Sequence, residues 1–478
     1  MLPTPWLQPF FPSTGFRSTD LRVPLKPGAG GTLEDYLRNT RAQVRGLFWE
    51  GSPGPGLARA ARMVNNIGTA NAIQQLPNGA ALLDEQLPPL SAHHQKILVV
   101  QGDAGLIAFL GGMDFMPNRV LPNAATGEPW SDVHLRLVGP AAVDVRKVVE
   151  NRWMWHPKTR ALDEKLGLSD KASAVQRSDF AFPPPTPTAG TAFETVTAPR
   201  DSPRSTQRKV VAVGRTFGKG PKDSPPPFGF APAGDYSAWS LIETGIKKAV
   251  RWIYVEDQYL VSRMAREALL AKLKEPNFEF LLILMSNSGS VGEFKFLRTA
   301  RNEFRRDLIA ADRTKWGLYT LTKCPDAARQ NWCGDFVHSK IWIFDDSYVV
   351  VGSANCDNRG YTLDSEVVAG IVESSDIDPW LGKTFAIDLR TRLWAKYLGL
   401  PDALVSDFRK GLAWWKAPPA TAMVMENSGG LHRSFKEKNA GNRIAGSAGL
   451  AVRELDAFDI HDGPYPRAGT VQGSCRLS

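Results

Sequence analysis

The stretch Val337–Gly360, VHSKIWIFDDSYVVVGSANCDNRG, and the earlier stretch His93–Asp114, HHQKILVVQGDAGLIAFLGGMD, follow one plan. Each opens with His-x-Lys, passes through an apolar strand and a polar turn into a second apolar strand, and ends in Gly-Gly or Gly-Ser. The first hairpin is the longer one, with the extra residues falling in Gln101–Gly105. A motif repeated about half a chain apart predicts two similar halves of one enzyme.

The repeated residues point to a phosphodiester. A histidine and a lysine two positions apart on a strand share a face, so both meet one ligand. Neutral imidazole attacks phosphorus, and ammonium balances phosphate charge. Two such pairs, His94 with Lys96 and His338 with Lys340, supply a nucleophile, an acid and two cations. The small residues after each hairpin, Gly111-Gly112 and Gly352-Ser353, let backbone approach a bound phosphate, and the Asn355 amide donates to a phosphoryl oxygen. A reactive histidine needs its second ring nitrogen held by an acceptor. Asp132 and Glu366, each on a later strand of its own half, are the candidates.

Composition frames this chemistry. The 478 residues are 43% hydrophobic and 22% charged, an ordinary globular mixture with room for two domain-sized units. A net charge of +9 favours an anionic partner, and nucleic acid and an anionic membrane surface both fit. Cys324, Cys333, Cys356 and Cys475 do not make a disulfide scaffold and show no metal-type spacing to histidine. The N-terminal MLPTPWLQPFFPSTGFR has no basic start followed by an apolar run, so no cleaved signal is expected. No stretch reaches the roughly 18 apolar residues of a spanning helix. Fourteen tryptophans suit a protein that meets a membrane interface, with Trp332, Trp414 and Trp415 as the best placed.

Five regions are expected: an irregular arm over 1–30, a first half over 31–160, a Pro-rich linker over 161–208, a second half over 209–416 and a loose tail over 417–478. Strands are expected at 44–50, 130–139, 209–217, 251–260 and 278–285. Helices are expected near 33–41, 57–66, 141–155, 237–249, 263–274, 293–312 and 389–399. Strands alternating with helices indicate an α/β architecture.

HSKIWIFD (338–345) with GSAN (352–355) resembles the phospholipase D superfamily signature, His-x-Lys-x-x-x-x-Asp followed by Gly-Ser-x-Asn. HHQK, FLGGMD, WSDVHLRLVGP, IYVEDQYL and LDSEV resemble blocks of its phospholipase branch, and the similarity spans about residues 33–410. The resemblance implies two similar half-domains, each a mixed β-sheet flanked by helices, with the active site at their interface. It implies that His94 forms a covalent phosphohistidine, and that His338 protonates the leaving alcohol and then activates water. Lys96, Lys340 and Asn355, with Ser353 and Asp114 beside them, would hold the phosphate; Asp132 and Glu366 would orient the histidines; Asp345 would support the fold. No metal or organic cofactor is implied, and an alcohol replacing water gives headgroup exchange. The substrate implied is a membrane phospholipid at the bilayer surface, with nucleic acid disfavoured, and a monomer suffices because one chain carries both motifs. One departure stands out: Gln101 occupies the place of Asp345 in the first copy, with Asp103 two residues on, which implies altered local structure there.

Other readings use the same residues. A nuclease of the superfamily would need a groove of cations. A catalytically inactive membrane-binding protein would draw support from Gln101, against the retained His94, Lys96 and Asp132. Lipid-headgroup synthases usually carry spanning segments. Bacterial antagonistic effectors delivered by type VI secretion resemble the same branch and lack cleaved signals, which would place the chain at a membrane surface after signal-less export.

Overall fold

The computed structural model describes residues 21, 30–40, 42–50, 64–77, 79–88, 91–102, 105–116, 131–156, 209–220, 225–286, 295–321, 337–373 and 384–427. The expected linker 161–208, the tail beyond 427, Asp103, Trp332, Cys324, Cys333 and Cys475 lie outside these residues.

In chain order the first half holds α1 (Leu33–Asn39), β1 (Val44–Trp49), α2 (Val64–Gln74), β2 (Gly79–Asp84), the hairpin β3 (Ile97–Gly102) and β4 (Gly105–Gly111), then β5 (His134–Val138) and α3 (Pro140–Trp155). The second half holds β6 (Lys209–Thr216), α4 (Ser237–Lys248), β7 (Trp252–Asp257), α5 (Arg263–Leu273), β8 (Phe280–Met285), α6 (Lys295–Ala310) and β9 (Trp316–Leu321). It continues with the hairpin β10 (Ile341–Phe344) and β11 (Tyr348–Gly352), then α7 (Asn358–Thr362), β12 (Glu366–Glu373), α8 (Phe385–Leu398), α9 (Asp402–Val405), α10 (Phe408–Lys416) and β13 (Val424–Glu426). The chain is thus a mixed α/β protein with helices flanking its sheets.

The large sheet runs β13-β9-β8-β7-β10-β11-β12-β6, with β7, β8 and β9 parallel and the other neighbours antiparallel. WIYVED, FLLILM and WGLYTL are buried along their whole length, as central parallel strands covered on both faces require. In the first half, β1 pairs with β2 in parallel, and β3-β4-β5 form a separate antiparallel sheet. The inner face of this smaller sheet, Leu106, Ala108, Leu110, Leu135 and Leu137, packs in one core cluster with Val349, Val351, Val367 and Ala369 of the large sheet. The opposite face of the large sheet is covered by α4, α5 and α6 through Trp239, Ile242, Ile246, Leu269, Phe304 and Leu308.

Three sequence expectations change. GAALLD (79–84) is a strand with every residue buried, where no strand was expected; of the helix expected near 57–66, residues 57–63 lie outside the described residues, and the described helix spans Val64–Gln74. WGLYTL is a strand that no alternation announced. Residues 417–427 are not a loose tail: β13 adds an edge strand to the large sheet, pairing Val424 with Leu321.

Candidate active site

Two short parallel bridges bring the halves together. His93 bridges Ser365, and Ser131 bridges Val337. Their hydrogen bonds match: His94 N–H donates to Ser365 O at 3.0 Å, and His338 N–H to Ser131 O at 2.8 Å. Each bridge joins the residue before one half's histidine to the residue before the other half's carboxylate. The two halves are therefore related by a local two-fold, and the acids cross it. His94 Nδ1 lies 2.7 Å from Glu366 Oε1, and His338 Nδ1 lies 2.7 Å from Asp132 Oδ2. All four side chains are buried. The sequence placed each acid on a later strand of its own half; the structure gives each acid to the histidine of the opposite half. With Nδ1–H donated to a carboxylate, Nε2 of each ring faces the site, as a lone pair when the ring is neutral and as a second N–H when it is protonated.

Burial sets the charge state. It pushes the His94 imidazole well below its ordinary value, and the nearby Lys96 and Lys340 ammonium groups push it further, so the ring is neutral near pH 7. The same burial raises the Glu366 carboxyl to about 7, against Lys96 and the Ser353 hydroxyl, which favour the carboxylate. Both lysines are buried, and each is anchored to its own motif: Lys96 Nζ donates to His94 O at 2.8 Å, and Lys340 Nζ donates to His338 O. Lys340 Nζ also reaches Gln258 Oε1 at 3.4 Å, and Lys96 Nζ lies 3.5 Å from Asp114 Oδ1.

The residues after each hairpin complete the two sides differently. Ser353 Oγ donates to Glu366 Oε2 and accepts from Val367 N–H at 3.0 Å. Its counterpart is Gly112, where a Cβ would stand 2.2 Å from Asp132 Oδ1. There Asp132 Oδ1 takes the Val133 N–H itself, at 2.8 Å. A shorter acid with no serine thus replaces a longer acid with one. Asn355 is fully buried, yet neither its Nδ2 nor its Oδ1 meets a hydrogen-bond partner among the described residues. An unmatched buried amide costs about 1–3 kcal/mol, and a bound phosphoryl oxygen would accept from its Nδ2 donor.

Asp345 stands apart from this chemistry. Its carboxylate accepts from the N–H groups of Val250, Arg251 and Trp252 at 2.6, 2.8 and 2.8 Å, tying the end of β10 to the start of β7. Asp345 and Asp346 take positive φ in the hairpin turn, a conformation aspartate tolerates better than most residues. Gln101, in the corresponding place, continues β3 and pairs with Leu106. The altered local structure implied by the sequence is visible: the ladder extends to Gly102–Gly105, and among the described residues no ladder joins β3 to β1 as β10 joins β7.

Several supporting residues escaped the sequence reading. Buried Glu256 accepts from Tyr254 Oη at 2.7 Å, Ser339 Oγ at 2.5 Å and Tyr397 Oη at 3.1 Å, and Tyr397 Oη meets Ser131 Oγ at 2.7 Å. This chain of bonds fixes the middle residue of the second motif and the Ser131 bridge together. On the other side, His93 Nδ1 meets Ser365 Oγ at 2.7 Å, and its Nε2 lies 3.0 Å from Asp84, which also holds Arg152. A signal existed in the acidic end of the otherwise apolar WIYVED. Its partners, however, sit far away in sequence. Trp415 is a further correction: it is fully buried against Tyr319 and Trp394, and only Trp414 of that pair is exposed.

A family model described as cardiolipin synthase, PLD-like domain, matches residues 242–387. Phospholipase D alpha 1 of Carica papaya is 23% identical over 513 residues, covering 80% of this chain and 60% of that protein. Phospholipase D C of Dictyostelium discoideum is 40% identical over 88 residues, 16% of this chain and 5% of that protein. Phosphatidylserine synthase of Haemophilus influenzae Rd KW20 superposes with a TM-score of 0.49 at 11% identity, covering 89% of this chain and 84% of that one. The chain spans about half to three fifths of the length of the plant relatives it matches. The chain is thus similar to proteins of the phospholipase D superfamily, with its PLD-like domain match over residues 242–387. Among the described residues no helix is long and apolar enough to cross a membrane.

Proposed function

We propose that the chain is a phospholipase D-type phosphodiesterase that releases the headgroup of a glycerophospholipid and leaves phosphatidic acid. His94 Nε2 attacks phosphorus and forms a P–N bond. The P–O bond to the headgroup breaks, and His338 delivers its proton to the departing oxygen. His338, now neutral, takes a proton from water. That water attacks phosphorus, the P–N bond breaks, and His94 returns as neutral imidazole. Lys96, Lys340 and the Asn355 amide carry the charge on the non-bridging oxygens. An alcohol in place of water gives headgroup exchange by the same steps.

The observation that carries this reading is the crossed pair of buried histidine–carboxylate contacts around two buried lysines. The neutral state of His94 supports it as the nucleophile. The phospholipase relatives support lipid over other phosphodiesters.

The test is headgroup release from mixed phospholipid vesicles, with His94→Ala as control and plasmid DNA as a parallel substrate. Choline, ethanolamine or glycerol release that disappears in the variant is expected. DNA cleavage without lipid turnover would contradict the lipid assignment, and no turnover of either would contradict the enzyme assignment.

A further inference from the structure

The local two-fold gives every strand face of the first hairpin a twin in the second. Strand alternation puts Lys96, Leu98 and Val100 on one face of the smaller sheet, beside Gly111, Phe109 and Ile107 of β4 and His134, Arg136 and Val138 of β5. The twin face carries Lys340, Trp342 and Phe344, then Gly352, Val350 and Tyr348, then Val368, Gly370 and Val372. On the twin face Trp342, Phe344, Val350 and Val368 are buried and share a core cluster with Trp239, Ile242 and Ile246 of α4, and only Val372 at its far edge, the twin of Val138, is as exposed, at 40%. On the first face Leu98, Val100 and Val138 are 39%, 44% and 40% exposed, and Ile107 and Phe109 are half-buried. None of these five joins a described core cluster. The helix that precedes β1 as α4 precedes β7 is α1. It has seven residues, none buried, and its Leu33 and Leu37 pack with β1 and β2 instead.

The uncovered face starts at the phosphate site. Lys96 heads one of its strands, and His134 sits opposite Gly111 on another. His134 Nδ1 has no hydrogen-bond partner among the described residues, and burial, then the pull of Asp114 and push of Lys96, leave its ring lowered to about 4 and neutral. Val368 is the twin of His134, so this polar group exists on one side only. From Lys96 to Val100 the face extends about 13 Å along the strand. Phe115, next to Asp114, is also exposed. Among the described residues Arg136 is the one charged residue on the face beyond the site, so a second copy laid against it would set cation against cation. A phospholipid surface satisfies both the apolar residues and the arginine.

We infer that the outer face of β3-β4-β5 docks on a phospholipid bilayer and so holds the site of His94 and Lys96 at the bilayer surface. The inference rests on the proposed phospholipase reading. It assigns the bilayer contact to the first half, because α4 covers the hairpin strands of the same face in the second half.

The test combines Leu98→Thr, Val100→Thr and Val138→Thr, residues that keep strand propensity and lie outside the catalytic groups. Wild type and triple variant are compared on three readouts: co-sedimentation with vesicles of phosphatidylcholine and phosphatidylglycerol, headgroup release from those vesicles, and turnover of a short-chain monomeric phospholipid below its micelle concentration. The expected result is a loss of about tenfold or more in vesicle binding and vesicle turnover, with monomer turnover unchanged. Unchanged vesicle binding in a variant that still turns over monomer would overturn the inference while leaving the phospholipase reading intact. A wild-type dimer that the triple variant converts to monomer in sedimentation would overturn it in favour of a second copy. Absence of any lipid turnover in wild type would instead remove the reading on which it rests.

Discussion

The two halves contribute matching parts to the candidate site but are built to different standards of closure. The second half runs β7 into β10 without a break, clamps the joint with Asp345, and seals the outer face of its hairpin under α4. The first half splits β1-β2 from β3-β4-β5, has Gln101 where the clamp would be, and leaves the hairpin face open. Yet the reacting groups of both halves are equally buried and equally tied, because each histidine is held by the other half's strand. The difference teaches that the site depends on the crossed bridges at Ser131 and Ser365 more than on the completeness of either sheet. A departure in the first motif's aspartate is compatible with an intact centre for that reason.

The largest expected effects separate the two histidines. His94→Ala and His338→Ala should each lower headgroup release by about 10⁴-fold or more. Only His338→Ala should accumulate a phosphorylated protein, detectable as a phosphatidyl mass increase in the intact chain. Activity near wild type in either variant would break the two-histidine account. Next in size is the clamp. Asp345→Ala strands three backbone N–H groups and should cost about 1–3 kcal/mol in denaturant unfolding, whereas Gln101→Ala should fall within about 0.5 kcal/mol. Equal losses would mean the halves are closed alike after all. Gly112→Ala places a methyl against Asp132 and should lower turnover by about 10²-fold with little change in melting temperature, because it misplaces the acid that holds His338. An unchanged rate would remove Asp132 from control of that ring.

How much of this was legible in the sequence follows from which contacts are local. The two hairpins, α3, α4 and α5 could be read because alternation and helical spacing are local patterns. GAALLD and WGLYTL could not: strands buried on both faces lose the alternation that marks a strand, and nothing in their residues distinguishes them from other short apolar runs. Val424–Glu426 was hidden because a three-residue edge strand is defined by its neighbour, β9. Every residue type of the proposed site was visible in the motifs, but the exchange of acids between halves was not. That exchange depends on a bridge register between segments some 270 positions apart, such as His93 and Ser365. Trp415 misled because α10 turns one of two adjacent tryptophans inward, and the sequence alone does not say which.

A smaller effect concerns pH. The Glu366 carboxyl is raised from its ordinary 4.5 to about 7, so the folded state favours its protonated form. Its stabilising contribution is complete below 4.5 and lost as pH rises through 7. Glu366→Gln should therefore gain melting temperature relative to wild type between pH 5 and pH 8. It should also lose the decline in turnover that wild type shows as pH falls through about 7, where the protonated carboxyl stops accepting from His94. A wild-type profile flat across that range would contradict the assigned cause.

The most direct test of the crossed arrangement is the rate of phosphohistidine formation in the His338→Ala background, using a phosphatidyl ester of p-nitrophenol, whose leaving group needs no proton. Adding Asp132→Asn should leave that rate unchanged, because Asp132 acts only through His338. Adding Glu366→Gln should slow it by about 10²-fold or more, because Glu366 holds the attacking ring. The opposite pattern, with Asp132→Asn slowing formation and Glu366→Gln without effect, would place each acid with the histidine of its own half and contradict the account.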